Sequence, residues 1–206
     1  MGESKEYRVT LTKGFWMGKT EVTQGQWKSV MGKKPSRFTG AAAARPVDSV
    51  SWNDCQKFIE KANARLSGIR LRLPTEAEWE YACRAGTAGG GTLKPNEIGW
   101  HFVNSGGKVQ PVGRKKPNDW GLCDMHGNVW EMCADWYGAY PSGDATDPTG
   151  PASGSLRVLR GGDYDDFALH CRSAYRYHIN PSYRHYDYGV GFRLCCSAGL
   201  SDSGTE

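Results

Sequence analysis

From Thr87 to Ser155 the chain holds neither a helical nor a strand period, yet Trp100, Trp120, Trp130 and Trp136 are spread through it. That pairing is the strongest constraint on the fold. A stretch this long without periodic structure is uncommon in a compact domain unless it is functional or locked by internal contacts. Disordered segments are poor in aromatics, so the tryptophans argue for ordered, packed loops. Glycine, at 27 of 206 residues, suits the many turns such loops need. The length fits a single domain, residues 1–206, large enough to bury a sizeable core.

Helix signals cluster in the first half. Thr23 with Gln26, Ser51 with Asp54 and Thr75 with Glu78 have the spacing of capping boxes, in which each side chain satisfies a backbone N–H of the other residue. The first helix is predicted to run through Trp27 and Val30 to Gly32. The second carries Cys55, Phe58, Ile59, Ala62 and Leu66 at helical spacing as far as Gly68. The third has Trp79, Ala82 and Cys83 on its inner face and stops at Gly86. Strand signals are short: Tyr7 to Thr12, Phe15 to Val22 broken by Gly18, Val158 to Arg160, and Phe192 to Leu194.

The formal charge of +4 is mild, and the densest basic pieces are Lys33-Lys34 and Arg114-Lys115-Lys116. Such short runs are ordinary solvated loops, so nucleic-acid binding is not expected. No apolar run approaches the length of a membrane span. Met1 to Ser4 opens into a polar segment with no apolar signal region. Seven cysteines without CxxC spacing argue against zinc and for buried thiols packing as small hydrophobes.

Several long motifs carry a family resemblance. Arg72–Ala82 reads RLPTEAEWEYA, Pro46–Asp54 reads PVDSVSWND, and Gly121–Glu131 reads GLCDMHGNVWE. Arg160-Gly161-Gly162 and Gly191-Phe192-Arg193 close the series. In this order they resemble the formylglycine-generating-enzyme (sulfatase-modifying factor) family over roughly Arg8 to Ala198. The resemblance implies an α+β, C-type-lectin-like fold of that family's subtype, loop-rich, with small antiparallel sheets and a few helices.

The family's oxidases carry two copper-binding cysteines five residues apart after the RGG motif. Here the second position falls on Cys171 and the first on Asp166. A lone thiolate does not supply the paired soft ligands that Cu(I) prefers. The expectation is therefore a non-enzyme that requires no cofactor. The alternative is a divergent sulfatase-modifying or other metal-dependent oxidase using Cys171. His126, His170, His178 and His185 show no metal-ligand spacing and read as loop histidines. Relatives of this fold bind calcium near the GNVWE loop, so Asn128 and Glu131 are read either as a calcium site or as bonds to loop backbone.

The stretch from Asp163 to Tyr188 reads DYDDFALHCRSAYRYHINPSYRHYDY and holds six of the ten tyrosines. Ala168, Cys171, Arg172, Ser173, Ala174, Arg176, Pro181 and Arg184 follow the family pattern. Between them Tyr, Asp, His, Phe, Leu, Ile, Asn and Ser alternate with no period. Tyrosine gives large rigid contact area at low entropy cost, which suits a recognition surface. The bland reading is a Tyr-rich solvated loop. The stretch also resembles the variable region of diversity-generating retroelement proteins, whose mutated adenines turn AAY codons into this set of residues. That resemblance implies a hypervariable region at about 163–190, shown at a bacterial cell surface and binding a protein or other macromolecule. A secretory segment for such display is expected outside this sequence. The predicted contact residues are Tyr164, Asp165, Asp166, Phe167, Leu169, His170, Tyr175, Tyr177, His178, Ile179, Tyr183, His185, Tyr186, Asp187 and Tyr188.

Overall fold

The computed structural model describes residues 7–33, 35–38, 43–87, 94–186 and 188–198. Met1 to Ser4, Lys34 of the basic doublet and Asp187 of the predicted contact set lie outside the described residues. In chain order the elements are β1 (Val9–Thr10), β2 (Phe15–Met17), α1 (Gln24–Met31), α2 (Trp52–Asn63), β3 (Leu71–Arg72), α3 (Glu76–Arg84) and the single turn α4 (Pro95–Ile98). There follow β4 (Gly99–Trp100), β5 (His126–Gly127), β6 (Trp130–Trp136), β7 (Ala145–Thr146), β8 (Arg157–Arg160), β9 (Arg176–Ile179), β10 (Val190–Gly191) and β11 (Cys195–Ser197).

All three capping boxes form, each with both reciprocal hydrogen bonds. They start α1, α2 and α3 where the sequence places them, because the side-chain oxygens replace partners that the first turn lacks. Helix α2 ends earlier than expected, at Asn63 and not near Gly68. The Asn63 amide instead grips strand β3, accepting from Leu71 N–H at 2.8 Å and donating to the Leu71 carbonyl at 2.9 Å. Phe192 to Leu194 is not a strand; pairing falls on either side of it, in β10 and β11.

The central sheet has the order β10-β6-β8-β9. Its longest strand, β6, lies inside the stretch that shows no sequence period. Of the six residues before Trp136 in WEMCADW, five are buried and one is half-buried, so strand alternation is erased. The β6–β8–β9 pairings are antiparallel, as are β2–β11–β3, while β10–β6, β4–β5 and β1–β7 are parallel. Trp130, Met132, Leu159 and Ile179 pack with Trp27, Phe58 and Phe192 from the α1–α2 side. Cys133 and Val158 pack with Trp79 of α3 and Met125. The sheet is thus covered on both faces, the arrangement expected when strands are too apolar to leave a face wet.

Loop packing needs glycine at two crossing points. A Cβ at Gly99 would lie 1.9 Å from the His126 carbonyl oxygen, and one at Gly127 would lie 1.9 Å from that of Trp100. No other residue fits the β4–β5 contact.

Six of the seven cysteines are buried and Cys196 is half-exposed; all are free thiols. Burial pushes the Cys55, Cys83 and Cys133 thiols up, so they stay protonated and pack as small apolar groups. No helix among the described residues is long and apolar enough to cross a membrane.

Asp135 in β6 accepts the Glu76 N–H at the start of α3 at 2.8 Å. Burial first, and the Glu76 charge beside it, push this carboxyl up to about 7. Below the ordinary carboxylate range Asp135 is protonated folded or unfolded. As pH rises toward 7, only the unfolded chain releases the proton, so stability falls through that window. The expected loss is up to about 4 kcal/mol, because each pH unit between the unfolded and folded titrations is worth roughly 1.4 kcal/mol. Asp54 acts in the opposite sense at more acid pH. Its hydrogen bonds from Arg184 and Ser51 outweigh burial and hold it low, so its contribution is lost only on strong acidification. Urea titrations from pH 4 to 8 should show the decline in the wild type and a flatter profile in Asp135→Asn. Parallel profiles for the two proteins would contradict it.

Candidate binding face

Two buried groups fasten the segment 163–190 to the scaffold. Asp163 is fully buried, and its carboxyl accepts the Asp165 N–H at 2.9 Å and the Gly189 N–H at 2.8 Å, joining the two ends of the segment. Burial and the neighbouring Asp166 raise its pKa, which favours its neutral form. Cys171 fills the space behind: a Cβ at Gly162 would meet its sulfur at 2.6 Å.

Framework arginines hold the middle. Arg176 forks onto Glu76 at 2.5 and 2.7 Å, and Arg184 onto Asp54 at 2.6 and 2.7 Å. Bidentate geometry fixes orientation as well as distance. Both carboxylates belong to α2 or α3, so rigid helices position a segment with little regular structure of its own.

Most predicted contact residues then point outward. Phe167 is 62% exposed, Leu169 61% and Tyr186 59%. Asp165, Tyr177, Tyr183 and Tyr188 are also exposed. His170, Tyr175, His178 and His185 are half-buried and sit within a chain of ring contacts. His170 lies 4.7 Å from Tyr175, and Tyr175 and Tyr177 lie 6.0 and 5.4 Å from Trp130. His178 lies between Tyr137 and Tyr177, and His185 between Tyr183 and Tyr188.

Two residues correct the expectation. Tyr164 is 4% exposed and packs with Val109, Val129 and Phe38, so it is core. Ile179 is 7% exposed and faces the Trp130 cluster from β9. Asp166 is only partly available. One carboxyl oxygen accepts the Asp163 N–H at 3.0 Å, and the other meets His170 Nδ1 at 3.2 Å. Sequence reasoning missed Phe102 and Val103, both exposed. Phe102 N–H donates to the Asp166 carbonyl at 2.8 Å, and its ring lies 5.5 Å from Phe167. They stand in the aperiodic stretch, where no sequence signal marks the neighbour they have in space.

The Asn128 and Glu131 side chains both bond to neighbouring protein groups. The Asn128 amide accepts the Gln110 N–H at 2.9 Å and donates to Glu21 at 2.9 Å. Both Glu131 oxygens accept from Arg193 at 2.6 Å, and one also accepts from Trp79 at 2.7 Å. At the oxidase positions, Cys171 is a buried thiol held protonated by burial, and Asp166 is spent on Asp163 and His170. That donor set does not fit paired copper thiolates.

Loop-rich α+β packing, helix-anchored arginines and an outward aromatic segment define a C-type-lectin-like domain with a loop-borne face. The chain belongs to the sulfatase-modifying factor enzyme 1-like family, whose model matches residues 2–198. It is 37% identical to the formylglycine-generating enzyme of Streptomyces coelicolor over 87% of this chain and 61% of that protein. It is 38% identical to the mouse enzyme over 64% of this chain and 38% of that one. The chain therefore spans less than two thirds of these relatives' length. Among solved structures it is similar to Treponema denticola variable protein 1, with a TM-score of 0.84 and 35% identity, covering 92% of this chain and 86% of that one. It is also similar to PvdO from Pseudomonas aeruginosa, with a TM-score of 0.79 and 27% identity over 92% and 82% of the two chains.

Proposed function

We propose that this protein is a non-catalytic display protein whose 163–190 face is diversified by a retroelement and binds a protein or other macromolecule. One observation carries the reading. Three residues of the family pattern tie the segment to the scaffold, Cys171 by burial and Arg176 and Arg184 by forks onto Glu76 and Asp54, whereas the exchangeable types between them mostly turn outward. A rigid backbone with exchangeable side chains lowers the ordering cost of each new contact. The likeness to a variable protein supports the same reading. Display at the bacterial cell surface belongs to this proposal, and binding through the face needs no cofactor.

Family membership favours one rival, a divergent oxidase using Cys171. Sequencing the 3′ end of the gene and its flanking DNA in several isolates separates the two. The expected result is a non-coding near-copy with adenines at the codons of outward residues such as Phe167, Tyr183 and Tyr186, and differing residues there among isolates. An invariant segment with no template copy would overturn the proposal.

A further inference from the structure

The backbone of β9 is an open sheet edge within the candidate face. Two anchors fix which groups face outward. Trp130 N–H donates to the Gly189 carbonyl at 2.6 Å, so Trp130 turns to β10 and Glu131 to β8. At the other end, Tyr137 N–H donates to the Leu156 carbonyl at 2.7 Å, turning Leu156 to β6. Alternation along β8 then directs Arg157 and Leu159 to β9. Their partners Ile179 and Tyr177 use their backbone groups inward, and Arg176 and His178 turn N–H and C=O away from the sheet. Among the described residues, no hydrogen bond meets either backbone on that outer side.

The opposite edge is covered. Gly191 of β10 is pressed against the Val47 carbonyl, and Val22 N–H donates to the Phe192 carbonyl at 2.9 Å. Strand β9 is short and carries the charged Arg176, but that guanidinium is drawn away onto Glu76 and the Gly138 carbonyl. The strand has no proline or lysine, its four pairs with β8 run in unbroken register, and the bulge lies on the other side of β8, toward β6. Exposed Tyr177 flanks one side of the edge. On the other, Arg176 lines an open groove with Tyr7, Tyr140, Pro151 and Ala174.

We propose that β9 takes an extended peptide segment of the ligand as an added strand, the Arg176 and His178 backbones pairing with it and the surrounding side chains reading it. This rests on the binding-face reading and supplies what that reading lacks: an attachment that stays constant while side chains vary. Main-chain pairing supplies affinity without regard to sequence, and alternate side chains supply specificity.

The test uses the full chain and a displayed library of random dodecapeptides. In the free protein, the Arg176 and His178 amides should exchange with solvent much faster than those of Tyr177 and Ile179. A selected peptide should slow both outward amides. His178→Pro removes an N–H outside the ladder and is tolerated at an edge, whereas His178→Ala changes the side chain alone. Proline should weaken binding about tenfold or more and alanine far less, with equal melting temperatures. Outward amides already protected in the free protein would overturn the inference, as would a library that yields no binder slowing them. Protection that grows with protein concentration as the mass doubles would make the occupant a second copy and remove the peptide. If alanine at Tyr183 and Tyr186 abolishes binding but His178→Pro does not, the face stands and the edge falls.

Discussion

Arg193→Ala is expected to destabilise the protein by about 3–5 kcal/mol, the cost of removing one partner from a fully buried ion pair. Arg193 has no exposed surface, and besides Glu131 it donates to the Gly18 and Cys123 carbonyls, each at 3.0 Å. Around it lie three acidic groups: Glu131, Glu21 and Asp124. Burial, followed by the Asp124 charge, pushes Glu21 well up, and one guanidinium serves the whole cluster. Without it, Glu131 keeps only the Trp79 indole at 2.7 Å. For a chain of this size the melting temperature should fall by roughly 6–20 °C. The double variant Glu131→Met with Arg193→Met should recover much of the loss, because apolar groups of similar volume do not leave a buried charge alone. A cost for Arg193→Ala below about 1 kcal/mol would place the guanidinium in solvent and not in the core.

The second large effect concerns binding. Alanine at Phe167, Tyr183 or Tyr186 should each weaken selected binders by about 2 kcal/mol where the ring is a contact anchor, roughly thirtyfold. All three together should abolish binding measurably, while stability stays within about 0.5 kcal/mol per site, as for other surface changes. Tyr164→Ala is the matched contrast. It empties a site against Val109, Val129 and Phe38 and should cost about 3 kcal/mol or more of stability. Calorimetry and binding on the same five variants separate the outcomes. If the exposed rings lower stability as Tyr164 does, they are core and the face has been misplaced.

The same tyrosine marks how far the sequence could be read. Helix starts were legible because a capping box is a local contact, complete within four residues, and Thr23, Ser51 and Thr75 each make one. Strand β6 was not legible because its residues are buried on both faces and carry no alternation. In the candidate segment, chemistry identified the residue types suited to contact but not the direction in which each points. Tyr164 and Tyr183 have identical side chains. Only Phe38, Val109 and Val129, distant in sequence, decide that the first is covered. Ile179 is covered because the end of β9 carries it into the Trp130 cluster, and interleaved framework positions hide that strand in the sequence. Phe102 joins the face through a backbone bond to Asp166 that no spacing announces.

The Asp163 carboxyl has a consequence for inheritance. Because it binds the backbone N–H groups of both Asp165 and Gly189, the closure of the segment does not depend on the side chains at those two positions. The entropy of bringing loop ends together depends on the span between them and not on the side chains within it. Exchanges at outward positions such as Phe167, Tyr183 and Tyr186 leave that closure intact, whereas exchanges at Tyr164 or Ile179 still disturb the core. Loss of Asp163 itself would free the two ends of the segment together, with the middle still held through Arg176 and Arg184. Mutational tolerance along this gene should therefore change abruptly between the buried pair Asp163 and Tyr164 and the exposed Asp165.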